Sequence, residues 1–239
     1  MSLASTSAWP RRPWRSPGCA AWSGDIARRP DAVLKVGGSL SRRPAALRRL
    51  MSALAALART RVLVVVPGGG PFADAVRRVD RRFRLDDSSS HWMAILAMDQ
   101  YAYLLAALAP GARLVSSPTQ IAAGRLNVLA VSAWLHSADP LPHTWQVTSD
   151  SIAAWAARRL RAKRLVLLKG VDGQFDRDPA RPDARLLRRV SRARLDDVVD
   201  AHFAAALDPR LSCWIVNGTR PERVEALLTG KSEYGTQVV

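Results

Sequence analysis

The chain has 239 residues, a formal charge of +16 and an isoelectric point of about 11.4; that length suits one large α/β domain with a substantial core and is short for two. Its arginines are scattered in pairs, as at Arg48-Arg49, Arg77-Arg78, Arg158-Arg159 and Arg188-Arg189, so the charge reads as solvated helix faces and not as the clustered footprint of a nucleic-acid binder. Cys19 and Cys213 are the two cysteines, too few for a disulfide framework or a cysteine metal site, and no apolar run approaches the roughly 18 residues of a membrane span; the expectation is a cytoplasmic protein with no nucleic-acid and no membrane partner.

Residues 1–30 carry five arginines, three tryptophans and four prolines without the sustained apolar core of a signal peptide. They read as a poorly ordered extension preceding one domain over 31–239. The first strand, Ala32–Val36, runs into Lys35-Val36-Gly37-Gly38-Ser39, and a helix follows over Pro44–Arg59. The second strand, Val62–Val66, ends in Pro67-Gly68-Gly69-Gly70-Pro71 before a helix over Pro71–Val79. A long helix is expected over Ser90–Leu108, then strands at Arg113–Val115 and Asn127–Val131. Thr148-Ser149-Asp150-Ser151 opens a helix to Arg161, and Ser149 or Asp150 would serve as its N-cap. The strand Arg164–Leu168 leads into Lys169-Gly170-Val171-Asp172-Gly173-Gln174-Phe175-Asp176, and the loop Asp176–Arg185 carries a short hairpin toward Leu186-Leu187. A helix over Asp196–Ala206, a strand over Ser212–Val216 and a helix over Pro221–Leu228 complete the series. Short β-branched runs alternating with longer helical ones predict an α/β fold, a three-layer αβα sandwich around a mainly parallel sheet. Ligands in such sheets sit beyond the carboxyl ends of the strands, where all four motifs fall.

Only four of the 36 basic residues are lysines, so a lysine at a strand end against a glycine turn points to phosphate chemistry: an ammonium is a compact point charge, whereas guanidinium suits static bidentate pairing. Gly37, Gly38 and Ser39 would let backbone amides approach an anion at a helix start. The three glycines Gly68, Gly69 and Gly70 cost backbone entropy, and close approach of a ligand is the expected reason for them. Asp150 is read either as a cap or as the partner that orients Lys35, and the Lys169–Asp176 loop as a tight turn or as a nucleotide cradle. Neither a Walker-type loop nor a dinucleotide glycine fingerprint is present. Trp134, Trp145 and Trp155 read as core or subunit-contact residues, and His136 and His143 as loop residues. No metal-ligand spacing is evident.

In this order the four motifs resemble the amino acid kinase superfamily, from Ala32 through Ile215-Val216-Asn217-Gly218 and Leu227-Leu228-Thr229-Gly230 to Val239. The resemblance implies a carbamate kinase-like fold, ATP and Mg²⁺ as cofactors with the ion carried by the nucleotide phosphates, and frequent homo-oligomers. It implies that Lys35 stabilises the transferring phosphoryl group and Asp150 organises that lysine. Gly37, Gly38, Ser39, Gly68, Gly69 and Gly70 would line the phosphate and acceptor sites, and Lys169, Gly170, Val171, Asp172, Gly173, Phe175 and Asp176 would hold the nucleotide. The helix beginning Asp87-Ser88-Ser89-Ser90-His91-Trp92-Met93 is similar to that of the [5-(aminomethyl)furan-3-yl]methyl phosphate kinases of methanofuran-type cofactor synthesis. That makes His91, with Asp86, Asp87 and Asp99, a candidate contact for an acceptor carrying a phosphate and an ammonium. Two departures stand out: Leu195–Cys213 lacks the lysine that strict amino acid kinases often carry before the last strand, and Lys169 stands where the family commonly has a small hydroxyl residue. A kinase for another small phosphorylated acceptor and a non-catalytic nucleotide-binding relative are the alternatives.

Overall fold

The computed structural model describes residues 29–195, 198–231 and 234–239. The expected extension over 1–30 therefore lies outside the described residues except for its last two, and Cys19 with it. The order is β1 (Ala32–Val36), α1 (Pro44–Leu57), β2 (Leu63–Pro67), α2 (Gly70–Phe83), α3 (Asp87–Leu108), β3 (Arg113–Val115), β4 (Asn127–Leu129), α4 (Ser132–Ala138), α5 (Ser149–Arg159), β5 (Arg164–Lys169), β6 (Arg189–Val190), α6 (Phe203–Ala206), β7 (Ser212–Asn217), α7 (Pro221–Thr229) and β8 (Thr236–Val238).

The eight strands form one sheet in the order β3-β4-β2-β1-β5-β7-β8-β6. All neighbouring pairs are parallel except β7 with β8. β1 and β2 are buried along their whole length, as strands covered on both faces must be, and this is why they read as continuous apolar runs. Side chains alternate between the faces. Leu34, Val36, Val166 and Leu168 join α1 and α7 in one core, while Val33, Leu165 and Leu167 join α5 in the other. Lys35 and Lys169 continue the second set, so both ammonium groups are directed to the α5 side of the sheet. The long helix α3 divides its contacts, with Ile95 and Met98 in the α5-side core and Tyr101 and Leu105 in the other. No helix among the described residues is long and apolar enough to cross a membrane.

The α/β architecture with helices on both faces is as expected, but three local expectations are corrected. Helix is found only at Phe203–Ala206 within the stretch 196–206; Asp196 and Asp197 lie outside the described residues, and Asp200 is drawn out of helical geometry to bond the start of α5. The helix α4 and the strands β6 and β8 were not anticipated. His136 accordingly lies on α4, not in a loop. The hairpin toward Leu186 is present as an isolated antiparallel bridge between Phe175 and Leu186.

Candidate active site

β1 and β5 are adjacent and parallel, with Lys35 opposite Leu167 and Val36 opposite Leu168. Lys169 therefore emerges one step beyond Lys35 on the same face. Between the two lysines sits Asp150, in the first turn of α5: Lys35 Nζ lies 2.8 Å from Asp150 Oδ1 and Lys169 Nζ 2.7 Å from Asp150 Oδ2. The three side chains are 6, 13 and 5 % exposed for Lys35, Lys169 and Asp150. Burial favours the neutral acid at Asp150, but the two ammonium groups outweigh it and hold its pKa below the ordinary carboxylate value. Burial, reinforced by repulsion from Lys35, pushes the Lys169 pKa down to about 8 against the attraction of Asp150.

Asp150 is free for this work because it does not cap its own helix. The N-cap residue, Thr148, makes no side-chain cap bond. Asp200 does the capping from 49 to 52 residues away: it accepts from Thr148 N at 3.0 Å, Thr148 Oγ1 at 2.8 Å, Ser151 N at 3.0 Å and the Ser151 hydroxyl. Neither Ser149 nor Asp150 fills the capping role expected of it, and the sequence offered no local signal for Asp200.

Two cavities lie at this end of the sheet and share Ser39; Lys169 lines the larger of them, and Lys35 and Asp150 line neither. One, of about 320 Å³, is bounded by Gly38, Gly69 and Gly70, the first turn of α5, and the side chains of Arg42, Asp74, His91 and Trp145. The other, of about 800 Å³, is bounded by Lys169, Gly170, Val171, Gly173, Phe175 and Arg177. Gly37 and Gly68 line neither cavity. Gly68 packs backbone to backbone against Gly38, where a Cβ would lie 2.7 Å from the Gly38 nitrogen. Packing of the two turns thus gives Gly68 a structural reason beside the expected ligand, and for Gly37 that reason is the Leu168 carbonyl, 2.8 Å from where its Cβ would lie.

Asp172 and Asp176 are also absent from the lining. Asp172 accepts from Asn217 at 2.7 Å and pairs with Arg223 at 2.8 Å, tying the loop to β7 and α7. Asp176 accepts from the Arg185 amide at 2.9 Å and steadies the hairpin. Gln174, inside the same loop, donates its amide N–H to Thr236 Oγ1 at 2.9 Å and accepts from the Leu187 amide at 2.8 Å, so β8 and the hairpin support the loop from behind.

In the smaller cavity, His91 is backed by a stack of rings: His143 at 4.4 Å from His91, and Trp92 at 3.6 Å from His136. His143 bonds Ser88 Oγ at 2.8 Å and Asp139 at 2.9 Å. Burial and the neighbouring His143 press the His91 pKa down to about 4, so the ring is neutral near pH 7. Asp86, Asp87 and Asp99 do not line this cavity. Asp86 caps α3 through Ser89, and Asp99 caps α4 through Ser132 N at 3.2 Å. Trp145 lines the cavity, with its indole N–H on Asp80 at 2.8 Å and Arg77 4.9 Å above its ring, whereas Trp134 and Trp155 pack in the core.

A lysine at a strand end beside a glycine turn, a carboxylate holding that lysine, and two cavities that meet at Ser39 are the parts that phosphoryl transfer between two ligands requires. Residues 32–211 match the amino acid kinase family. The chain belongs to that family. It is a kinase, and its relatives act on small phosphorylated molecules. A [5-(aminomethyl)furan-3-yl]methyl phosphate kinase of Methanocaldococcus jannaschii is 30% identical over 215 residues, covering 87% of this chain and 97% of the relative. A uridylate kinase of Methanoregula boonei is 31% identical over 224 residues, covering 84% and 93%. Among solved structures, the uridylate kinase of Archaeoglobus fulgidus superposes with a TM-score of 0.69 at 21% identity, covering 87% of this chain and all 100% of that one; at that identity the likeness speaks for the fold.

Among the described residues, no group of three or more histidine, cysteine, aspartate and glutamate side chains is arranged to hold a metal ion. Asp150 has each carboxylate oxygen engaged by a lysine. Its carboxylate is therefore not a free ligand for an ion.

Proposed function

We propose that this kinase uses ATP to convert a small phosphomonoester into a diphosphate, and that the acceptor is [5-(aminomethyl)furan-3-yl]methyl phosphate in methanofuran-type cofactor synthesis. The observation that carries the acceptor is the make-up of the smaller cavity. Arg42 suits a phosphate; the Arg77–Asp74 ion pair, 3.2 Å apart with Arg77 over the Trp145 ring, has one end suited to a phosphate and the other to an ammonium; and the neutral His91 adds a ring edge beside a small heterocycle. The match along nearly the full length of the M. jannaschii relative supports the same acceptor.

In this reading ATP occupies the larger cavity along Gly170–Phe175 and the acceptor phosphate faces it past Ser39. An acceptor phosphate oxygen attacks the γ-phosphorus, the bond to the β,γ-bridging oxygen breaks, and its electron pair leaves with ADP. Little covalent work falls to the protein, and an ionised acceptor phosphate needs no general base. Lys35 neutralises charge on the moving group, and Asp150 fixes the lysine in place. The proposal extends to a cytoplasmic enzyme acting on soluble metabolites and to a homo-oligomer, for which exposed Leu96 and Tyr103 on α3 and Phe83 on α2 offer apolar surface.

The test is a Mg·ATP assay with a panel of phosphomonoesters, products followed by mass spectrometry. A diphosphate from the aminomethylfuran acceptor and little from the rest is the expected result. Turnover of UMP instead would favour the second reading, which the M. boonei relative supports. Nucleotide binding without transfer to any acceptor would indicate a relative that has lost its chemistry.

A further inference from the structure

We propose that Lys169 is the second cation on the transferring phosphoryl group, acting with Lys35 and not as a contact for the base or ribose of the nucleotide. Three observations carry it. First, Lys169 stands on the same sheet face as Lys35, on the adjacent strand, and the pair is held by the two oxygens of a single carboxylate. One aspartate gripping two ammonium groups fixes their separation, which is what a multivalent anion with several equatorial oxygens requires. Second, Lys169 lines the larger cavity beside Ser39, the residue common to both cavities, so it stands where the two ligands meet. Third, two buried lysines on one carboxylate leave an excess of one positive charge. Burying two ammonium groups against a single carboxylate is costly, and an anionic group bound between them relieves the imbalance. A lysine serving only as a structural partner for Asp150 would be redundant beside Lys35.

This inference rests on the phosphoryl-transfer reading of the site but not on the identity of the acceptor. In the step itself the γ-phosphoryl carries its negative charge from ADP to the acceptor oxygen. Lys35 and Lys169 follow that charge, and neither gives up a proton.

The chain's four lysines make the test direct. With ¹³C-labelled lysine, Lys163→Arg and Lys231→Arg, both at the exposed surface, identify the two surface signals, and the remaining pair belongs to Lys35 and Lys169. Both buried signals should move on adding Mg²⁺ with the β,γ-imido analogue of ATP and stay nearly in place with Mg·ADP. Movement of a single buried signal with the analogue, or of both already with ADP, overturns the proposal while leaving the kinase reading intact. Failure of either nucleotide to bind in calorimetry would count against the kinase reading itself, and the proposal would fall with it. In parallel, Lys169→Met should lower kcat by about 100-fold or more with nucleotide affinity changed by only a few-fold. A variant that keeps kcat and raises only the KM for ATP would assign Lys169 to nucleotide holding. Because the spectroscopic test uses the site unaltered, the proposal stands or falls even if Lys169→Met does not fold.

Discussion

A Cβ placed on Gly38 would lie 2.6 Å from the backbone nitrogen of Gly70 and 2.8 Å from its Cα. The turn after β1 and the turn after β2 are therefore locked together through main chain, with no side chain able to yield. Gly38→Ala should force the turns apart, at a cost of about 1–3 kcal/mol as for other overpacked sites, and should weaken the acceptor cavity that both turns bound. Chemical denaturation and the KM for the acceptor check it; an alanine variant with unchanged midpoint and unchanged KM would contradict the interlock.

Asp200 is expected to matter for turnover although it lines neither cavity. Asp200→Ala removes the acceptor for two amides and two hydroxyls at the start of α5, costing about 1–2 kcal/mol as the loss of a helix cap. It also loosens the turn that aims Asp150, and misplacement of catalytic groups by an ångström is costly. The expected signature is a kcat reduced roughly tenfold or more with the KM for ATP little changed. A loss of stability with full kcat would show that α5 holds Asp150 without this cap.

The Lys169 ammonium gives an alkaline limit to activity. With its pKa lowered to about 8, kcat/KM for ATP should fall above that pH as the free enzyme loses the charge, while the limb in kcat should lie higher because bound phosphates favour the charged form. Lys35 and Asp150 are the charged groups facing it, and Asp150 stays ionised throughout. The stability effect runs the other way. The unfolded chain keeps this proton up to the ordinary lysine value of 10.5, so from about pH 8 upward unfolding takes up a proton, and this group makes stability rise with pH. A pH–rate profile and a melting series on the nucleotide-free protein would show the two slopes opposed.

On the acid side the ring stack at His91 sets the limit. Its pKa, lowered to about 4 from 6.5 by burial and by His143, with His136 adding and Asp139 opposing, means that the unfolded chain takes up the proton first as pH falls. Stability contributed by neutral His91 is present above pH 6.5 and lost on the way down to about 4. His91→Gln should lose stability relative to the wild type at pH 7 but close part of that gap at pH 5. Denaturant midpoints at the two pH values decide it.

The strands that carry the site were legible because both faces of the central sheet are covered, which makes β1, β2, β5 and β7 mostly apolar runs followed by glycine or asparagine, with Lys35 and Lys169 standing out at the ends of β1 and β5. Asp150 as the partner of Lys35 was one of two readings of its capping-type sequence, and the family resemblance supplied the organising role. What could not be read was the neighbourhood. That Lys169 shares Asp150 with Lys35 depends on β5 lying beside β1, a crossover that no local pattern encodes. Asp200 sits in a stretch with ordinary helical composition, and only its distant bonds to Thr148 and Ser151 explain why the helix there is short. β6 and β8 span two and three residues, too few for a period of two to be visible. The glycine runs were noticed for the right conformational reason, yet half of that reason proved to be the other glycine run.

The support that Thr236 gives to Gln174 has a bearing on how the protein comes off the ribosome. Every residue bounding the smaller cavity lies at or before Ile152, whereas the loop walling the larger one is braced by a strand that begins at Thr236. A growing chain can bring the lining of the smaller cavity together once Asp200 has been made to cap α5, but the brace behind the larger cavity's wall comes only with Thr236. A ligand of the larger cavity could then stabilise only chains extended past Thr236, and chains stopped before it would be left without that protection.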